Sequence, residues 1–283
     1  MRKINWAPAT FLAMALFAGA CGKGGDQVLA AAGEATVDAG TSRMAMTVSA
    51  SAPAAASPTD PAAAAVPSSE DFELSLEGVI DYETGHGILT MDMGALGIPG
   101  APAGEAEMRL LGSVIYMRMP GSELGGRPWI KFDLETLGED GQSPVPGLNP
   151  ASNDPRGVLD ALRGVSGEVK DVGGEKIRGV DTTHYRASVD IEKAQEAVPE
   201  ERRDDFATFS EQLGIDTLPI DVWVDEEGRA RRFAYEIEAP AAGDDATGMV
   251  TLVIDLYDFG VAVDVEAPPE AEVTDFGELQ QPS

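Results

Sequence analysis

About eleven short stretches of this chain alternate polar and apolar residues one by one, most of them separated by turns rich in Gly, Pro or Asp. Such a period places every second side chain on one face, which is the pattern of strands half-buried in an antiparallel sheet. The stretches are 43–50, 72–82, 88–93, 105–111, 114–119, 129–134, 168–172, 175–185, 220–224, 229–239 and 248–259. Strands do not take turns with helices, so a parallel sheet of βαβ units is excluded. Helical periodicity is confined to 26–40, 154–162, 190–197 and 200–213. The expected fold is α+β and mainly β: a single large, strongly curved antiparallel sheet, a half-barrel, with helices covering its concave face. A chain of 283 residues accommodates this as one domain, and neither a second core nor an internal repeat is visible.

Local signals set the boundaries. In 26–40, Val28, Leu29, Ala32, Ala35 and Val37 form the apolar stripe, Asp26 caps the start and Gly40 ends the helix. Asp154-Pro155 opens the second helix. Gly173-Gly174 reads as the turn of one hairpin, and Asp225-Glu226-Glu227-Gly228 as that of another. The stretch 51–69 is almost wholly Ala, Pro, Ser and Thr and reads as a flexible loop, as does the Gly- and Pro-rich 136–153. Residues 268–283 read as a loose acidic tail, leaving 26–267 as the folded domain.

The amino terminus speaks to location. Arg2 and Lys3 precede an apolar run over 9–18, too short to span a bilayer, which needs about 20 apolar residues, but proportioned as a secretory signal core. Ala18-Gly19-Ala20-Cys21 follows and resembles the lipobox of bacterial lipoproteins, with Ala18 where a larger aliphatic residue is usual. The resemblance implies cleavage after residue 20, acylation of Cys21 with palmitate-type chains and a tether over 21–25. The alternative is an ordinary signal peptide with an incidental cysteine. Loss of Arg2 and Lys3 takes the net charge from −29 to −31.

One strand face is unusual. Aligning the alternations puts Met44, Met46, Val48, Leu74, Leu76, Leu89, Met91, Met93, Met108, Leu110, Ile115, Met117, Met119, Ile130 and Phe132 together. Of the 10 methionines two fall in the leader, and of the rest only Met249 lies off this face. Methionine is unbranched and polarizable and lines adaptable apolar surface. Two readings stand side by side: a pliable cavity for acyl chains, lined by Met44, Met46, Leu74, Leu76, Met91, Met93, Met108, Leu110, Met117, Met119 and Phe132, or a core covered permanently by helices.

Several chemistries lack material. Twenty Lys and Arg against 49 Asp and Glu disfavour nucleic-acid binding. One cysteine excludes an intrachain disulfide or a cysteine zinc cluster, and two histidines offer little for a metal site. His86 and His184 lack the neighbours of a nucleophile–base pair, Asp181 and Ser188 suggesting a triad on paper only. Phosphate-loop, dinucleotide and nucleophile-elbow motifs are missing. Asp225 to Glu227 match no calcium loop and read as a solvated turn. Arg229, Arg231 and Arg232 read as cross-strand partners of acids, and Trp129 and Trp223 as core anchors, Trp223 alternatively at a helix–sheet boundary. No enzyme activity, metal or cofactor is expected.

Two blocks carry a family resemblance: Gly179-Val180-Asp181-Thr182-Thr183-His184-Tyr185-Arg186 and Leu218-Pro219-Ile220-Asp221-Val222-Trp223-Val224-Asp225-Glu226-Glu227-Gly228-Arg229. With the lipobox and the long antiparallel run, they resemble the actinobacterial LppX/LprA/LprF/LprG-type lipoproteins of the LolA/LolB-like fold. The resemblance implies a half-open barrel over an apolar cavity, anchored on the extracytoplasmic face of the cell membrane, that binds, holds or transfers a lipid or glycolipid. The insertion at 51–69 departs from the pattern. The alternative is a non-enzymatic envelope scaffold or sensory protein, its cavity filled by its own side chains, with an envelope protein as partner.

Overall fold

The computed structural model describes residues 24–51, 72–96, 104–121, 126–133, 155–198, 200, 203–204, 206–207, 214–240 and 247–279. Cys21, the leader, 52–69, 136–153, most of the expected helix 200–213 and the last four residues lie outside them.

The strands pair into one open, curved sheet, the eleven expected regions joined by a short twelfth strand near the C-terminus. In chain order they are β1 (Thr41–Ser51), β2 (Phe72–Asp81), β3 (Gly87–Asp92), β4 (Glu105–Leu111), β5 (Val114–Arg118), β6 (Trp129–Asp133), β7 (Val165–Ile177), β8 (Val180–Asp190), β9 (Thr217–Asp225), β10 (Ala230–Pro240), β11 (Thr247–Tyr257) and β12 (Val273–Asp275). The 12 strands lie in the order β12-β6-β5-β4-β3-β2-β1-β11-β10-β9-β8-β7. All neighbours are antiparallel except β12, which runs parallel to β6. The inner face is one continuous core running from Met117 and Phe132 to Val189 and Leu218.

The helices are α1 (Gly25–Asp38), α2 (Pro155–Ala161), α3 (Ile191–Ala197) and the single turn α4 (Phe276–Leu279). The buried face of α1 is Leu29, Ala32, Gly33 and Thr36, so the helix period holds; of the expected stripe Leu29 and Ala32 are buried, and Val28, Ala35 and Val37 are half-buried. Gly24, not Asp26, stands at its N-cap, without a side-chain cap. Thr36 ties the helix to the sheet: its hydroxyl donates to Ala32 O at 2.7 Å and accepts from the Ala230 N–H at 2.9 Å. Asp190 caps α3, accepting from Lys193 N–H at 3.1 Å. Among the described residues α1 packs chiefly on β7, the turn Leu162–Gly164 and α2, and also on β10, while α3 and that turn pack on β8.

Three expectations change. Gly173-Gly174 is not a turn: β7 runs straight through it with a register shift, and Gly173 takes φ 125°. The hairpin closes instead at Arg178-Gly179, both at positive φ, between the paired Ile177 and Val180. A glycine pair serves a bulge as readily as a turn, and alternation in such an exposed strand is too weak to arbitrate. The tail is not loose up to residue 279, because Val273–Asp275 pairs with β6 and Phe276 meets Phe132 at 4.9 Å between ring centroids. Finally, Met93 belongs to a 3-10 turn, Met93–Leu96, yet stays buried on the inner face.

Gly78 lets β2 and β3 approach one another closely. A Cβ there would stand 1.9 Å from Ile88 O, so β2 and β3 can approach this closely only without a side chain.

Candidate functional site: the inner wall of the sheet

Period-two alternation brings nine of the eleven proposed lining residues onto one wall, and Met93 and Met119, just beyond β3 and β5, pack with them. Met44, Met46, Leu74, Leu76, Met91, Met93, Met108, Met117 and Phe132 are buried in the core, and Leu110 and Met119 are partly buried against it. Register turns them into neighbours: Met108 lies opposite Met117, and Met46, Leu76, Met91 and Ala106 follow one another across β1 to β4. Side chains opposite one another in a sheet touch, so this sector is a patch of thioether and Leu surface. The gap bounded by Leu89, Met91, Ala106, Glu107, Met108 and Met117 has no room for a water-sized molecule, 0 Å³. In this state the methionines close on one another.

The other half of the wall uses different residues. Val189, Leu218, Ile220, Val222, Val224, Phe233, Leu252, Ile254 and Leu256 point inward from β8 to β11. Tyr235 joins them at 4% exposure, and burial pushes its hydroxyl far above the usual tyrosine range. The list of candidate site residues read from the sequence lacks Tyr235, although its alternation with Phe233 and Ile237 carries the signal.

The outer face corrects several readings. Trp129 and Trp223 are buried but are outside the inner core. Arg109 and Arg118 lie over the Trp129 ring, 4.6 and 5.2 Å from its centroid. Trp223 stacks on His184 at 4.1 Å between centroids, with the rings 8° from parallel, and its indole N–H donates to Glu175 at 2.7 Å. His184 Nε2 lies 2.5 Å from Asp221 Oδ1, and Asp221 also accepts from Arg186 at 3.0 Å. A tryptophan on a polar strand phase is covered by planar cationic and imidazole groups, which alternation alone cannot foresee.

Asp225 is not solvated: it accepts from the Arg229 N–H at 2.8 Å and from Arg231 Nε at 2.6 Å. Burial alone would push its carboxyl up; the Arg229 N–H, the Arg231 hydrogen bond and both guanidinium charges outweigh that and hold it below the usual carboxylate range. Arg232 pairs across the strands with Asp255 at 2.5 Å, as expected, and Arg178 joins the same carboxylate at 3.1 Å. Asp181, far from a triad, is exposed and pairs with Lys176 at 2.6 Å. Among the described residues no group of three or more His, Cys, Asp or Glu could hold a metal. Nor is any described helix long and apolar enough to cross a membrane.

No protein-family model matches the chain. It is 30% identical over 161 residues to an uncharacterised 31.2 kDa protein of Streptomyces griseus, covering 55% of this chain and 50% of that one. It is 28% identical over 179 residues to a candidate lipoprotein of Streptomyces coelicolor, covering 61% and 52%. The chain thus spans about half the length of the curated relatives it matches. Among solved structures it is similar to LprF of Mycobacterium bovis, with 16% identity, 86% and 96% coverage and a TM-score of 0.47. In the fold the blocks 179–186 and 218–229 are adjacent: His184 faces Trp223 and Thr182 faces Asp225 across β8 and β9.

Proposed function

We propose that this protein is a lipid-anchored lipoprotein of the bacterial cell envelope, held by an acylated Cys21 on the extracytoplasmic face of the membrane. It binds, holds or transfers a lipid or lipophilic ligand by reversible burial against the methionine wall. One observation carries the reading: seven methionines converge on a single inner wall. Unbranched thioethers repack around a guest with little strain, whereas a wall meant for one fixed packing favours branched residues. Apolar burial then holds an acyl chain by about 25 cal/mol per Å². The relative named as a candidate lipoprotein supports the anchor. The reading makes 21–25 the tether and 26–267 the principal carrier domain.

The test uses protein purified from its native envelope. Intact mass reports acylation at Cys21, and solvent extraction reports a co-purifying lipid. Refolded protein offered envelope lipids should bind them stoichiometrically, and a clean absence of binding overturns the reading.

The closed gap among Met91, Met108 and Met117 favours a second reading, a non-enzymatic scaffold whose interior is filled by its own side chains. That reading expects a protein partner captured from membranes by the whole chain and lost on deletion of 51–69, with no lipid bound.

A further inference from the structure

The core buries two tyrosines whose hydroxyls are treated differently. Tyr82, 1% exposed, shares a hydrogen bond with Ser42 Oγ at 2.7 Å. Tyr235 lies in a cross-strand row of Ala187, Ile220, Tyr235, Leu252, Val48 and Leu74, in which every neighbour is apolar. Among the described residues its hydroxyl has no hydrogen-bond partner. Buried hydroxyls are normally paired, and phenylalanine would place the same ring without an orphaned donor. Burial also keeps the phenol protonated, so it stays a donor across physiological pH. Two strand steps, about 10 Å along the curve of the sheet, separate it from β1, where the methionine wall begins.

We propose that the Tyr235 hydroxyl is the polar anchor of the interior site, donating a hydrogen bond to the carbonyl oxygen of an acyl group whose hydrocarbon chain lies along the methionine wall. This rests on the lipid-holding reading above and narrows it. An acyl carbonyl brings acceptors and no donor, so a single hydroxyl satisfies it in an otherwise apolar row. A sugar or other polyhydroxyl head group would leave many donors unpaired there and stays outside.

The test compares the Cys21→Ser chain with its Tyr235→Phe variant, using hexadecane, methyl palmitate and palmitate as probes. The parent should bind methyl palmitate about tenfold more tightly than hexadecane, and Tyr235→Phe should lose that advantage while binding hexadecane unchanged. The acid arm separates two sources of the same carbonyl. A site for esters binds methyl palmitate equally from about pH 5 to 9 and loses palmitate as it ionises; a site for free acids holds palmitate at about pH 8 at least as well. Either supports the anchor if Tyr235→Phe removes the preference. An ester advantage absent in the parent, or unchanged in the variant, overturns the anchor and leaves lipid holding intact. Failure of every probe to bind overturns both. Melting of the ligand-free proteins is the structural control. Tyr235→Phe should melt at or above the parent and Tyr82→Phe below it; a drop of several degrees for Tyr235→Phe shows a hydroxyl already partnered in the fold and overturns the anchor.

Discussion

Strands β1 to β6 and strands β8 to β11 face the same interior with different chemistry. The first set presents Met44, Met46, Met91, Met108 and Met117; the second presents Val189, Val222, Val224, Ile220, Ile254 and Phe233. Branched and aromatic side chains have few rotamers and pack one way, whereas methionine has three rotatable bonds and packs many ways. The difference extends to what surrounds each wall. Helices α1 and α3 settle on β7, β8 and β10, and on the outer face Asp225 and Asp255 tie β9, β10 and β11 together through four arginines. One half of the sheet is thus a braced platform and the other an adaptable surface. On the proposed function, a guest entering this interior would displace the half that can repack.

The sharpest way to break this contrast is to cut into the platform. Phe233 is fully buried on β10, and Phe233→Ala should cost about 4 kcal/mol in urea titrations because the braced surroundings cannot collapse into the cavity. A loss below about 1 kcal/mol would show that this half is as pliable as the other.

The outer-face network comes next. Asp225→Asn leaves two arginines without their buried carboxylate and should cost about 3 kcal/mol at neutral pH. The sign with pH follows from a depressed folded pKa: the contribution is present above the unfolded value, about 3.9, and is lost as pH falls through the lower folded value. Wild type should therefore lose more stability than Asp225→Asn on acidification below about pH 4, and parallel curves would remove Asp225 as a brace.

The close approach of β2 and β3 at Gly78 is a third point of attack. Gly78→Ala places a methyl group against Ile88 O and should cost about 2 kcal/mol by forcing β2 from β3. Any probe held by the methionine wall should be lost with it.

The smallest stability change tests function most directly. Met108→Leu with Met117→Leu swaps facing residues for ones of similar volume and should cost under about 1.5 kcal/mol. Uptake of a hydrocarbon probe should slow several-fold; unchanged uptake would detach methionine from the proposed role.

Much of this was legible beforehand. Met44, Met46, Leu74 and Leu76 could be placed on one face from the sequence because a two-residue period leaves no other choice once strands are recognised. Gly173-Gly174 misled because the exposed edge strand β7 carries little apolar signal to set against a turn motif. Trp129 looked like a core anchor because tryptophan is apolar in bulk, yet Arg109 and Arg118 bury it from outside. Val273 to Asp275 are too few residues to announce a strand, and only a waiting edge at β6 gives them one.

The order of side chains along each strand determined by itself that a single antiparallel sheet forms and which residues share its inner wall, because alternation is local and survives any arrangement of the strands. Tertiary structure alone decided that among the described residues Tyr235 lacks a hydrogen-bond partner while Tyr82 has Ser42, that Asp225 is gripped by arginines, and that the methionines close on one another. Those outcomes depend on which groups meet across strands far apart in sequence, and pairing register and sheet curvature set such meetings.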